Sequence, residues 1–448
     1  MTGLLTDLYQ LTMAAGFFAA GKAHESATFE LFFRRLPRYR NFVLSAGLSQ
    51  AISYLQDLHF EAEELRYLRS LPQFRKAEPE FFDFLAKLRF TGDVFAMPEG
   101  TPVFANEPIL TIRAPLIEAQ LVETYLLASI GFQSLIATKA ARMVEVAHGR
   151  EVVDFGTRRA HSPEAGVLAG RASYVGGCIG TSNTETGFRY GVPVFGTAAH
   201  SWVQSFPDER DAYARLQQLL GDATVYLIDT YDTREGARHA ASLGRPMWGV
   251  RLDSGNLVEL SRAVRKILDD AGFADAKIMA TSDLNEYKIL EFAAAQVPID
   301  VFGVGTDLAT STDSPNIGVI YKLVELEGRL TAKFSEDKQT MPGAKQVFRF
   351  ADRDVIACDW ECLGCGPDDP PAVALSRPVM LKGELVAPVP DAAAARKYAA
   401  ECLSRLPAAT RSLFDNEQQY PVEYSRPLLA LYDQVQDENR ILRHRHAT

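Results

Sequence analysis

The sequence predicts an α/β fold with a barrel of parallel strands in the middle of the chain, on three observations. Seven short hydrophobic runs, each ending in polar or glycine residues, follow one another: EVVDFG from 151, CIGTS from 178, VPVFGT from 192, VYLIDT from 225, MWGVRLDSG from 247, KIMATSD from 277 and VFGVGTD from 301. Most gaps between them hold helix-like stretches such as DERDAYARLQQLL and LVELSRAVRKILDDAG, the βα rhythm of a parallel barrel or wound sheet. No Rossmann glycine fingerprint accompanies the units, which favours the barrel. Barrel enzymes place their chemistry at the C-terminal ends of strands. Here those ends carry Asp154, Arg158, Ser182, His200, Asp229, Arg251, Asp253, Ser282, Asp283, Gly305 and Thr306.

The flanking regions have other rhythms. ATFELFF (27–33) is apolar and β-prone until Arg34, Arg35 and Pro37 break it, and Phe90 to Pro108 reads as short strands punctuated by Pro and Gly. From Leu116 to Val146, Leu121, Tyr125, Ala128 and Ile136 recur at helical spacing, which predicts one or two packed helices. After Asp313 the βα rhythm stops. IGVIYKLVELEGRLTAKFSED predicts a hairpin around Glu327-Gly328, VFRF and VIACDW read as further strands, and DAAAARKYAAECLSRL (391–406) as a helix. The expected organisation is an N-terminal α+β domain (1–115), an α/β barrel catalytic domain (116–313), and a C-terminal region (314–448) packing on the N-terminal domain.

Composition narrows the function. The chain has 448 residues, with 47 Lys and Arg against 57 Asp and Glu. The net charge of −10 and a pI near 5.4 argue against a surface given over to nucleic acid or anionic lipid. There is no run of about 18 uncharged apolar residues. The first thirty residues also lack the pattern of a signal peptide. The expectation is a cytoplasmic protein with neither nucleic-acid nor membrane partners. Five cysteines do not make a disulfide framework, and a reducing compartment fits. Cys358, Cys362 and Cys365 have zinc-like spacing, but Cys402 is the only nearby fourth ligand, so three buried thiols are expected.

Several motifs admit a plain reading beside a chemical one. GVGTDL (303–308) suits a tight turn, but its place at a late barrel strand also suits a backbone cradle for phosphate. GVRLDSGNL (249–257) can be a turn with Asn256 as helix cap, yet an arginine within an apolar strand needs an anionic partner, which a carboxylate or phosphate ligand would supply. His200 closes VPVFGTAAH and could be a satisfied structural histidine. Asp229, at the next strand end, could instead orient one ring nitrogen while the other acts as base or nucleophile.

Taken in order, LLTDLYQLTM (4–13), VVDFGTRRA (152–160), GTSN (180–183), GTAAHSW (196–202), IDTYDT (228–233), VRLDSGNL (250–257), SDLNEYKI (282–289) and FGVGTDL (302–308) resemble the nicotinate phosphoribosyltransferase family. The likeness continues through SPNIGVIYKLVE (314–325) and KFSEDKQTMPGAKQVFR (333–349). The resemblance implies an irregular α/β barrel with a second α/β domain built from the N- and C-terminal regions, and a homodimer with shared active sites. It implies an enzyme joining nicotinate to 5-phosphoribosyl 1-diphosphate, with ATP as co-substrate and Mg²⁺ accompanying the diphosphate.

By position, Phe155 and a partner subunit's Tyr9 would sandwich the pyridine ring, Arg251 would face the nicotinate carboxylate and Arg158 the 5-phosphate. Asp253 would serve the ribose hydroxyls or the metal-bound diphosphate, and the backbone at Gly303, Gly305 and Thr306 would hold the 5-phosphate. His200 matches the family's phosphohistidine, with Asp229 holding and polarising it. Ser182 stands where related nicotinamide enzymes carry Asp, which would repel a carboxylate, so the acid is the expected substrate. Two departures stand out: Asp307 beside the phosphate loop, where a carboxylate costs affinity unless it points away, and His161, which is left outside the site. The competing readings are a nicotinamide phosphoribosyltransferase and a non-catalytic mononucleotide sensor on the same fold.

Overall fold

The computed structural model describes residues 2–335, 339–366, 369–414 and 419–445, with 441–445 by backbone alone. Residues 336–338 of the KFSEDKQTMPGAKQVFR segment lie outside the described residues. The chain divides into two compact units, one of residues 1–134, 316–390 and 406–448, the other of 135–315 and 391–405. Expected boundaries at 115/116 and 313/314 therefore fall at 134/135 and 315/316. The first moves because the early turns of the helix Glu123–Val146 supply Leu126 and Ile130 to the core of the first unit. The C-terminal region is also split: the helix Ala392–Arg405 belongs to the second unit, where Arg396 donates to the carbonyls of Cys178 and Gly177 at 3.1 Å each.

The first unit is built on a seven-stranded antiparallel sheet. Its strand Ser26–Phe33, largely apolar, is buried along almost its whole length and pairs with Val319–Leu326 on one side and Pro108–Pro115 on the other. Sequence-distant segments thus share one sheet. The predicted hairpin forms: Val319–Leu326 returns as Arg329–Leu330, and Glu327 (φ 50°) and Gly328 (φ 73°) both adopt the left-handed conformation of a type I′ turn. Lys345–Arg349 and Asp354–Cys358 pair in a separate four-stranded sheet. Cys358 is a buried free thiol, but Cys362 and Cys365 form a disulfide in an exposed turn, which corrects the expectation of three buried thiols. The turn brings their Cα atoms to 5.8 Å, within disulfide reach.

The second unit carries the parallel sheet. Its strands are β1 (Glu151–Asp154), β2 (Gly180–Thr181), β3 (Val225–Leu227), β4 (Gly249–Leu252), β5 (Lys277–Ala280) and β6 (Val301–Val304), in the order β2-β1-β6-β5-β4-β3. All neighbours are parallel. Six of the seven expected runs are strands. VPVFGT makes only an isolated bridge between Val194 and Thr181, because Pro193 has no N–H with which to continue a ladder. One face of the sheet buries Val153, Met279 and Val301 against Phe155, Ile179, Phe195 and Trp248, the side-chain filling expected of a barrel interior. The fold class is α/β as expected, with a six-stranded parallel sheet in one unit and an α/β unit assembled from both ends of the chain; among the described residues the edge strands β2 and β3 do not pair to close the sheet into a barrel. Among the described residues no helix is long and apolar enough to cross a membrane.

Candidate active site

A cavity of about 640 Å³ opens at the C-terminal ends of the parallel strands. Of the strand-end residues singled out in the sequence, Arg158, Ser182, His200, Arg251, Asp253, Ser282, Asp283, Gly305 and Thr306 line it, with Phe155 and Gly303. Asp154 and Asp229 stand behind the lining. Asp154 is buried; its Oδ1 accepts from the Gly156 N–H (2.8 Å) and its Oδ2 from the Thr181 hydroxyl (2.7 Å), tying the end of β1 to β2. Burial raises its pKa above the ordinary value.

Arg251 lies one residue before the end of β4 with its side chain 12% exposed, and its fork is spread over several acceptors. Nε donates to Thr281 Oγ1 (3.0 Å), Nη1 to Thr197 Oγ1 (2.7 Å), and Nη2 pairs with Asp253 at 3.0 Å. The anionic partner that an arginine in an apolar strand demands is therefore already supplied by the chain, two residues on. Asp253 also accepts from the Thr281 hydroxyl and lies 3.6 Å from His200 Nε2. Burial alone would raise its pKa, but the Thr281 hydroxyl, Arg251 and His200 together hold it below the ordinary carboxylate range. This carboxylate remains charged.

The expected His200–Asp229 pair is not the contact the structure makes. Asp229 Oδ2 accepts from the Asp253 N–H (2.9 Å) and the Ser254 hydroxyl (2.5 Å), while its Oδ1 is buried without a hydrogen-bond partner. His200 instead meets Thr230 Oγ1 through Nδ1 (3.2 Å) and faces Asp253 through Nε2. The reason is local: the chain after β3 sets Asp229 against the loop after β4, and the next residue, Thr230, reaches the ring. Asp229 thus shapes the loop that carries Asp253. That loop ends as predicted, with the Asn256 side chain capping the helix Leu257–Asp270.

At β1 and β6 the packing is close. A Cβ at Gly303 would lie 2.6 Å from Thr281 Cγ2 and 2.7 Å from Phe155 Cδ2, so glycine is needed for the Phe155 ring to rest against β6. Ser282 (φ 94°) and Asp283 (φ 46°) leave β5 in the left-handed region, a conformation that costs non-glycine residues energy and recurs at functional sites. Asp307 does not line the cavity; it pairs with Lys139 at 2.9 Å. His161 is exposed and outside the lining, as expected. Tyr9 stands in the first unit on the helix Leu8–Ala19, 49% exposed, with its hydroxyl 3.4 Å from Glu123.

Thr197, Thr281 and Arg159 also line the cavity and were not singled out from sequence, although each adjoins a motif that was. For Thr281 its place at the end of β5 was the available signal; Thr197 and Arg159 lie within the GTAAHSW and VVDFGTRRA stretches. A larger cavity, about 750 Å³, lies in the first unit among Arg34, Arg35, Arg38 and Arg40 and holds none of the strand-end residues.

Three stretches of the chain match the nicotinate phosphoribosyltransferase family: its N-terminal domain over residues 4–131, the central family region over 150–349, and its C-terminal domain over 369–432. A nicotinate phosphoribosyltransferase of Mycobacterium tuberculosis is 44% identical over 450 residues, spanning 98% of this chain and 94% of that protein. One from Bacillus subtilis is 44% identical across 77% of this chain and 72% of its own length. The crystal structure of human nicotinic acid phosphoribosyltransferase superposes with a TM-score of 0.83 at 30% identity, covering 96% of this chain and 99% of that one. With its strand-end cavity and both units matched along nearly their whole length, the chain belongs to the nicotinate phosphoribosyltransferase family.

Proposed function

We propose that the protein joins nicotinate to 5-phosphoribosyl 1-diphosphate, giving nicotinate mononucleotide and diphosphate with coupled ATP hydrolysis. The observation that carries this reading is the convergence of Arg251, Asp253 and His200 with Phe155 and Ser182 on one cavity in a chain of this family. In the reaction the pyridine nitrogen's lone pair forms the bond to the anomeric carbon, and the bond from that carbon to the diphosphate oxygen breaks, its electron pair leaving with diphosphate. The transition state has oxocarbenium character, so positioning and charge stabilisation supply the catalysis, and no strong protein nucleophile is required.

Phe155 would stack on the pyridine ring, opposed by Tyr9 from the second subunit of a homodimer. Arg251 would pair with the nicotinate carboxylate, and Thr281, which already engages its Nε, would keep the fork in place. Arg158 and the backbone at Gly303, Gly305 and Thr306 would hold the 5-phosphate. Asp253 would meet the ribose hydroxyls or the metal-bound diphosphate, with Asp229 bracing its loop.

His200 would take the γ-phosphoryl group of ATP, with ADP as the leaving group, and pass it to water as inorganic phosphate, making the substrate-gripping state dependent on ATP. The site suits Mg²⁺: the donors are the hard carboxylate oxygens of Asp253 and Asp229, the latter with a buried unpartnered Oδ1, and Mg²⁺ commonly takes one or two carboxylates plus substrate phosphates. Bound there, it would neutralise charge on the departing diphosphate.

The test is mononucleotide formation by purified protein with nicotinate or nicotinamide, each with and without Mg-ATP. Nicotinate-selective, ATP-stimulated turnover is expected. His200→Ala should abolish the stimulation and leave slow ATP-independent synthesis; stimulation that survives would remove His200 from the coupling. Ser182→Asp should weaken nicotinate use, and unchanged kinetics would contradict the specificity argument. Turnover of nicotinamide by the wild type would favour the nicotinamide enzyme, and no turnover with either substrate the sensor.

A further inference from the structure

Asp307 sits where a carboxylate ought to oppose phosphate, directly after Gly303, Gly305 and Thr306 of the cavity wall. Its charge is instead taken up from below. Lys139, on the helix Glu123–Val146 and 1% exposed, reaches three carboxylates: Glu286 at 2.6 Å, Asp313 at 2.8 Å and Asp307 at 2.9 Å. Asp313 accepts a hydrogen bond from this ammonium, and Glu286 and Asp307 stand at ion-pair distance from it. Burial by itself would lower the pKa of this amine, but Glu286 and Asp313 hold it above its ordinary value, so the charge is permanent at neutral pH. Glu286, fully buried, is held from the other side by Arg142 Nε at 3.1 Å.

The segment between the two aspartates is closed on itself. Ala309 N–H donates to the Gly305 carbonyl (3.1 Å), Thr310 N–H to that of Thr306 (3.1 Å), and Thr312 N–H to that of Asp307 (3.3 Å). Lys139 therefore grips both ends of a compact turn, 307–313, that directly follows the cavity-wall residues Gly305 and Thr306. We propose that Lys139 is a positioning residue for phosphate recognition, drawing the Asp307 carboxylate away from the Gly303–Thr306 backbone and clamping the turn 307–313 from beneath. The inference rests on the proposed reaction for the identity of the phosphate. It needs only the ion-pair geometry for the rest.

The experiment is a double-mutant cycle on the full-length protein, reading KM for each substrate separately, with ribose 5-phosphate binding measured by calorimetry on the same proteins. Lys139→Met is expected to raise KM for phosphoribosyl diphosphate on the order of tenfold, since an unmasked carboxylate then faces the phosphate, while KM for nicotinate changes less than about twofold. Adding Asp307→Asn should recover most of the loss. Asp307→Asn alone should leave KM for phosphoribosyl diphosphate within about twofold, because Lys139 already silences the carboxylate.

Equal rises in both KM values, or no recovery in the double variant, would overturn the proposal. So would a single Asp307→Asn change that tightens phosphoribosyl diphosphate about fivefold or more, and this arm remains decisive even where Lys139→Met fails to fold. Ribose 5-phosphate affinity should follow the same pattern. That pattern in a wild type that makes no mononucleotide would count against the proposed reaction and leave Lys139 its role.

Discussion

The first unit and the strand-end cavity both hold charges away from bulk water, yet they treat them differently. In the first unit Lys345 Nζ pairs with Glu30 (2.6 Å) and also donates to the carbonyls of Met341 and Gly343, with both charged side chains at most 5% exposed. Arg349 grips Asp354 through Nε (2.9 Å) and Nη2 (2.5 Å) and donates to the Pro102 carbonyl, while burial and then the Asp354 charge push the neighbouring Glu107 carboxyl well up. These clusters are sealed. In the cavity, His200 is 41% and Asp253 27% exposed, and their 3.6 Å separation exceeds a hydrogen bond. The difference lies in the carboxylates: Glu30 and Asp354, at most 1% exposed, support the fold, whereas Asp253, left partly open, can meet a ligand.

The contrast can be broken by paired substitutions. The largest effect is expected in the sealed cluster: Arg349→Met should cost about 3–5 kcal/mol of stability by stranding Asp354, read from denaturant unfolding, while the activity of the remaining folded protein is unchanged. A loss of turnover without a shift in unfolding would erase the distinction. Arg251→Met, in the open cluster, should do the reverse, lowering kcat/KM for nicotinate about 10²-fold with little change in the unfolding midpoint.

The smallest effect sharpens the comparison through pH. Asp253 titrates below its ordinary value of 3.8, so its charged-state contribution is present above that pH and is lost as pH falls through the lowered value. Thr281→Val removes a hydrogen bond to the charged form. The acid limb of the kcat/KM profile should then move to higher pH, with kcat/KM down by about tenfold. An acid limb that stays in place would show that Thr281 does not hold Asp253.

Much of the site was legible because βα repeats are local. A hydrophobic run ending in polar residues places its last side chains at the mouth of a parallel sheet whatever the rest of the chain does, which is why Arg251, Asp253, His200, Ser182 and Thr306 meet as expected. Partnership was less legible. Asp229 follows β3 and His200 opens the short helix His200–Gln204, yet one residue's difference gives the ring to Thr230 and the carboxylate to the Asp253 loop. VPVFGT had the composition of a strand, and Pro193 reduced it to a bridge.

From the residues in their order come the α/β class, the six parallel strands, the hairpin at Glu327-Gly328 and the roster of strand-end side chains, because short periodicities and turn residues act over a few positions. Tertiary structure alone settled which carboxylate faces His200, the joining of Cys362 to Cys365, the place of the helix Ala392–Arg405, and the meeting of Lys139 with Asp313 across 174 positions. Those depend on distances of a few ångströms between segments far apart in the chain, where Coulomb energy and hydrogen-bond geometry change steeply and no local pattern records the outcome.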